Sequence, residues 1–227
     1  MRQLTKTISR NKARSAGFTI VEFMIATSVF GVILMGVTAA VLYMGQTYQR
    51  SIYASNTQAA AVNLVDTVSQ AIKFSSSQIE ADNSGQTYSY CVGNRQFLYV
   101  RGRQLTDQTT PTSTQNAVMT RLNTNDCAIE SIISGNPSGS PKELLGKGMR
   151  LLFFEVTSNS PGLYTVTARV AFGDDDLLCN PTVAGSCDPG SVMSLAQMWS
   201  RDVICKPGAG SQFCSVSELS NTVYRRL

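Results

Sequence analysis

Histidine is absent from all 227 residues of the chain. With it go Ser-His-Asp and Cys-His nucleophilic sites, imidazole general bases and every metal site that includes an imidazole. The six cysteines contain no Cys-x-x-Cys pair, so zinc-ribbon and thioredoxin-like readings lack their spacing. No Walker-type phosphate loop occurs, so the chain has no means of its own to power work with a nucleoside triphosphate. Proline is missing from positions 1 to 110, which leaves a long helix there free of its strongest breaker. Charge is sparse at 15% of residues, and a 43% apolar content argues against wholesale disorder. The length suits one ordinary domain with an extra element.

The net charge of +4 is unevenly placed. Arg2, Lys6, Arg10, Lys12 and Arg14 fall within residues 1–17, which hold no acid. The remaining chain is close to neutral, so the basic balance belongs to the N-terminal tail and says little about nucleic-acid binding by the body. After that tail, residues 18–45 carry a single formal charge, Glu22. As a helix this stretch would reach roughly 42 Å, more than the ~30 Å of a bilayer's hydrocarbon core. Basic residues ahead of it favour a cytoplasmic N-terminus with the rest exported. The run is about twice the ~7–15 residues of a signal-peptide core, which favours an anchor over cleavage near "VTAAVLY". A carboxylate at a span's centre costs about 2.5 kcal/mol or more, so Glu22 calls for a reason.

The helical pattern continues past Tyr48. Ala61, Leu64, Val65, Val68 and Ile72 recur in steps of three and four, while Asn63, Asp66, Thr67 and Gln70 fall elsewhere on the wheel. The spacing predicts one helix from about Phe18 to Phe74, ended by Ser75-Ser76-Ser77. Beyond it, "TYSYCV" and "RQFLYVRG" flank Gly93-Asn94, and "MRLLFFEVT" and "LYTVTARVAF" flank a Pro161-Gly162 turn. Both pairs read as hairpins. Residues 104–148 are rich in Thr, Asn, Gly and Pro, with one strand expected near 116–122. The expected fold class is α+β. A long N-terminal helix, its first half membrane-spanning, packs on an antiparallel sheet, and a disulfide-tied irregular region closes the chain at 174–227. The expected divisions are a leader (1–17), an apolar helix (18–45), an amphipathic continuation (46–78), a sheet domain (79–173) and the Cys-rich end.

Cys91, Cys127, Cys179, Cys187, Cys205 and Cys214 all follow the apolar run, and an even count there reads as disulfides in an oxidising compartment. Six cysteines allow fifteen pairings. Short separations favour Cys179 with Cys187 and Cys205 with Cys214, leaving Cys91 with Cys127.

The residues "SAGFTIVEFMIA" resemble the processing site of type IV pilins and type II secretion pseudopilins. The resemblance covers residues 13–50 at the level of motif, and the rest only in pattern. It implies cleavage by a prepilin peptidase between Gly17 and Phe18, N-methylation of Phe18, and Glu22 as the acid fifth in the mature chain. Assembly would then pair that carboxylate with the α-ammonium of a neighbouring subunit, so that neither charge is buried alone. The implied partners are major and minor pilins or pseudopilins, the peptidase and an inner-membrane assembly platform. The implied location is the inner membrane as a single-pass precursor, then a surface fibre with the globular part outside the cytoplasm. Major pilins usually carry a helix-bending proline that would fall near Ala39. Its absence, the chain length and "MGQTYQRS" after the span resemble instead the larger minor subunits of the PilW and J-type pseudopilin kind. Such a subunit would initiate or cap a fibre and would not be an enzyme. Two alternatives share the anchor: a tip adhesin or DNA receptor, and an exported domain that never polymerises.

Other signals weigh less. Asp174, Asp175 and Asp176 offer carboxylates to calcium, which some pseudopilins bind, but calcium takes six to eight oxygens from spaced residues, and three consecutive acids favour a solvated turn. No other cofactor is expected. Arg95, Tyr99, Arg101 and Arg103 form a basic, aromatic strand able to meet nucleic-acid phosphates if the fibre takes up DNA, although sheet alternation explains them equally. Trp199, the one tryptophan, reads as core.

Overall fold

A computed structural model of the chain describes residues 17–76, 78–84, 87–105, 117–122 and 142–226. The leader up to residue 16, Cys127 and most of the Thr- and Gly-rich stretch therefore lie outside the described residues. The chain forms two compact units, one ending at Gly45 and one running from Gln46 to Leu227.

Helix α1 spans Ile20–Phe74 without a break, as the lack of proline requires. Its start is set by Thr19, whose Oγ1 accepts a hydrogen bond from Glu22 N at 3.2 Å. The hydroxyl thereby satisfies one of the four N–H groups that a helix start leaves without a partner. Its end falls at the first of three consecutive serines.

In the second unit, Ala61, Leu64, Val65, Val68 and Ile72 are each at most 1% exposed. This is the stripe that the three-and-four spacing predicts. It packs on two antiparallel sheets. The first orders β1 (Glu80–Ser84), β2 (Thr87–Val92), β3 (Arg95–Val100), β4 (Val118–Leu122) and β5 (Lys142–Glu143) side by side. Gly93, at φ 62°, turns β2 into β3, a conformation that costs a residue with a Cβ. The second sheet comprises β6 (Met149–Ser160), β7 (Leu163–Phe172) and β10 (Ser215–Tyr224), with β7 in the centre. Pro161 and Gly162, the latter at φ 82°, close the β6–β7 hairpin between the paired Ser160 and Leu163. Phe97, Tyr99, Leu151, Phe154, Val166 and Val170 carry the helix stripe into one core. Each such side chain contributes about 1.5–3 kcal/mol on full burial.

The C-terminal region departs from the irregular segment expected of 174–227. Ser215–Tyr224 pairs with β7 over ten residues in unbroken register, so this last strand completes the second sheet. Between β7 and β10 lie the paired β8 (Leu178–Cys179) and β9 (Ile204–Cys205), and a one-turn helix α2 (Leu195–Met198). Leu152, Ala171, Leu178, Met193, Met198 and Val203 form a second core there. Leu151 and Leu152 are both fully buried, one in each core. Val170 and Ala171 of the regular strand β7 divide in the same way, so the second sheet is covered on both faces at that level, because successive strand residues point to opposite sides.

Candidate functional site in the N-terminal helix

Gly17 and Phe18 precede the helix, and Phe18 is 83% exposed. Glu22 lies in the first turn of α1, where the helix dipole favours a negative charge. Thr19-Ile20-Val21-Glu22 also has the spacing of a capping box, a signal that the reading of Glu22 as a purely intermolecular group passes over. Glu22 is thus favourably placed for the helix start, independently of the role the resemblance implies.

From Ile20 to Gly45 every residue is exposed, including Phe23, Ile25, Phe30, Ile33 and Leu42. The hydroxyls in this stretch turn inward to the helix itself. Thr27 Oγ1 donates to Phe23 O at 3.0 Å, Ser28 Oγ to Ile25 O at 2.8 Å and Thr38 Oγ1 to Leu34 O at 2.8 Å. Backbone carbonyls so used satisfy these Ser and Thr hydroxyls without water, as a hydrocarbon environment requires. The helix is long and apolar enough to cross a membrane by length and composition. Glu22 is the one formally charged residue in its apolar part.

The family description "prokaryotic N-terminal methylation motif" matches residues 12–38. The chain carries that motif. The match includes Gly17, Phe18 and Glu22 and supports a type IV pilin-like precursor, a structural protein rather than an enzyme. Together with the unburied apolar helix it fits a membrane-anchored precursor. No curated protein and no solved structure matches the chain.

The other candidate residues fall elsewhere. Cys179 bonds to Cys187 and Cys205 to Cys214, with Cα separations of 5.0 and 5.7 Å. These bridges tie β8 to the following loop and β9 to the residue before β10. Cys91 is buried in β2 and is not a free thiol; its expected partner, Cys127, lies outside the described residues.

The three consecutive aspartates do not act as a set. Asp175 Oδ1 meets Arg150 Nη1 at 2.6 Å, and Asp174 Oδ1 accepts from Gln104 Nε2 at 3.2 Å. Among the described residues no group of three or more Cys, Asp or Glu side chains is gathered as a metal would need. Arg150 itself is fully buried, a residue that no periodicity in the sequence singles out. Its Nη2 donates to Gly173 O at 2.9 Å, and Nη1 also reaches Gly102 O at 3.4 Å. It therefore fastens β6 to the end of β3 and to the aspartate turn.

The basic, aromatic strand is also repurposed. Tyr99 is 3% exposed and packs edge-on against Phe154, so it offers no ring to a base. Burial pushes its phenol pKa up. Arg101 sits over the Tyr88 ring at 3.7 Å and near the Trp199 ring at 4.9 Å, a cation–π arrangement that joins β2 to the residue after α2. Tyr99 and Arg101 are thereby engaged within the domain, whereas Arg95, at the start of β3, is exposed. Trp199 is partly buried and packs against the main core.

Proposed function

We propose that the chain is the precursor of a minor pilin or pseudopilin. It is held in the inner membrane by residues 18–45, cut between Gly17 and Phe18 by a prepilin peptidase, and added to a fibre that it helps to initiate or cap. The observation that carries this reading is the conjunction of the matched motif with a wholly unburied apolar helix holding one acid. Residues 1–17 are the leader, 46–78 lead into the domain, and residues 79–227 supply the extracytoplasmic surface that meets neighbouring subunits. After cleavage the Phe18 ammonium and the Glu22 carboxylate lie one helical turn apart in each subunit. A neighbour shifted along the fibre axis brings one subunit's carboxylate to the other's ammonium. Desolvating a lone charge is costly, so an unmatched Glu22 opposes insertion and a matched one permits it.

Intact-mass measurement of the protein from cells with an active prepilin peptidase tests the first step. A chain beginning at methylated Phe18 is expected, and Gly17→Ala is expected to leave the leader in place. Glu22→Ala is expected to remain membrane-inserted and processed but absent from sheared fibres. An intact N-terminus in such cells would overturn the reading.

A further inference from the structure

Four strands form the edges of the two larger sheets, and three are guarded against pairing with another chain. β1 carries Glu80 and Asp82. β5 is two residues long and begins with Lys142. β6 is broken by register shifts between Leu151 and Phe153 and between Ser158 and Ser160. Its first residues are also covered by backbone bonds from Gly102 and Leu105. Charges, short length and bulges are the means by which sheet edges avoid unwanted partners.

β10 has none of them along most of its length. Its ladder to β7 runs through ten pairs with no register shift, and it contains no proline and no lysine. Its one charge, Glu218, is engaged by Arg169 at 2.8 Å and Arg201 at 3.2 Å. No strand pairs with its outer side among the described residues. The Cys205–Cys214 bridge brings β9 beside its start only. Ser217, Ser220 and Thr222 are short enough to let another backbone approach. The strand is also held in place, since Asn221 Nδ2 donates to Ser69 Oγ. Just past its end Arg225 N donates to Gly162 O on the β7 side and Arg226 N to Lys73 O on the other, so α1 closes the outer edge beyond Tyr224.

Beside the end of β10 lies a polar groove of about 460 Å³ whose walls include Gln70, Lys73, Thr222, Tyr224 and Arg226. Asp66 is its one acid. Among the described residues Lys73 and Arg226 form no ion pair, so this end of the groove is cationic.

We propose that the outer edge of β10 is a strand-addition site for an extended segment of another protein chain. The segment runs antiparallel to β10 and carries an acidic residue near its N-terminal end, where it enters beside Lys73 and Arg226. Main-chain hydrogen bonds along 217–224 supply affinity, and the cationic end fixes polarity and register. This inference does not depend on the pilin reading.

The test uses the full-length protein in detergent and a capped eight-residue peptide of alternating Thr and Val led by Asp. Binding is followed by fluorescence anisotropy, with hydrogen exchange to locate it. The peptide is expected to bind and to slow exchange within 217–224. A peptide N-methylated at alternate amides, and one led by Lys, are each expected to bind roughly tenfold more weakly or worse.

Ser220→Pro and Asn221→Pro separate the two edges, because adjacent strand amides point to opposite sides. One of the pair breaks the β7 ladder and lowers the Tm. The other keeps the Tm and is expected to lose the peptide. Absence of binding, equal binding of the N-methylated peptide, or protection elsewhere would overturn the proposal. Self-association relieved by the Tm-neutral proline would overturn it too, by assigning the edge to a second copy of this chain.

Discussion

The two parts of α1 make opposite use of apolar side chains within one continuous helix. Up to Gly45 they occur on every side and all are exposed. Beyond Thr57 they gather mainly into the stripe of Ala61, Leu64, Val65, Val68 and Ile72, and that stripe is sealed, while Val62 and Phe74 stay exposed. The first pattern suits a surrounding that is apolar in all directions, and the second suits a single packed interface. The difference shows that helix continuity and helix environment are set separately. Backbone propensity and the lack of proline give the length, while the width of the apolar face selects what each part touches.

The comparison breaks most sharply in the core. Leu64→Ala is expected to destabilise the second unit by about 2–5 kcal/mol, the range for truncating a buried leucine, read as a fall in the denaturation midpoint. Leu34→Ala, in the exposed part, is expected to leave that midpoint unchanged. A similar loss in both variants would show that the first part is also packed.

Asp175→Asn removes the anionic partner of a buried guanidinium. It is expected to cost about 1–3 kcal/mol, less than a fully buried pair because Asp175 is half exposed. Added calcium is expected to leave the Tm of the parent unaltered, since Arg150 already holds that carboxylate. A calcium-dependent rise in Tm lost in Asp175→Asn would restore the metal reading.

Glu143 offers a pH test. Burial pushes its carboxyl pKa up, while N–H groups of Leu145, Val118, Ala117 and Leu144 pull it down; all four donate to it at 2.9–3.1 Å. The net direction is upward. Its titration thus favours the fold most below the ordinary glutamate pKa of about 4.3, and that contribution fades as pH rises through the elevated value. The stability of the parent relative to Glu143→Gln is expected to fall over that window in denaturation at several pH values. A relative stability that climbs instead would show that the four N–H donors outweigh burial.

The smallest effect is expected at Arg101. Arg101→Leu keeps much of the packing and loses the cation–π contact, a change of about 0.5–2 kcal/mol in midpoint stability. Trp199 fluorescence should report the loss locally, since the guanidinium lies 4.9 Å from its ring.

Much of this architecture is legible in the chain. The stripe, the serines that end the helix, Gly93-Asn94 and Pro161-Gly162 are local signals, each decided within a few residues by backbone geometry or helical period. The motif around Gly17, Phe18 and Glu22 is equally local, and so is the Thr19 cap, visible as a Thr-x-x-Glu spacing. The irregular end expected of 174–227 missed β10. "SVSELSNTVY" is polar and lacks clean alternation, because only part of its length covers core. The strand is defined by β7, which lies more than forty residues earlier.

The sequence by itself determined a long helix with two surroundings, a lone acid at its start, two hairpins and a disulfide-bearing body. Only the tertiary structure decided that β10 completes the second sheet, that Arg150 claims Asp175, that Glu143 gathers four backbone amides and that Arg101 lies over Tyr88 and Trp199. The reason is physical. A period or a turn is written in neighbouring residues, whereas these contacts join segments far apart in the chain and form only where the packed cores bring them together.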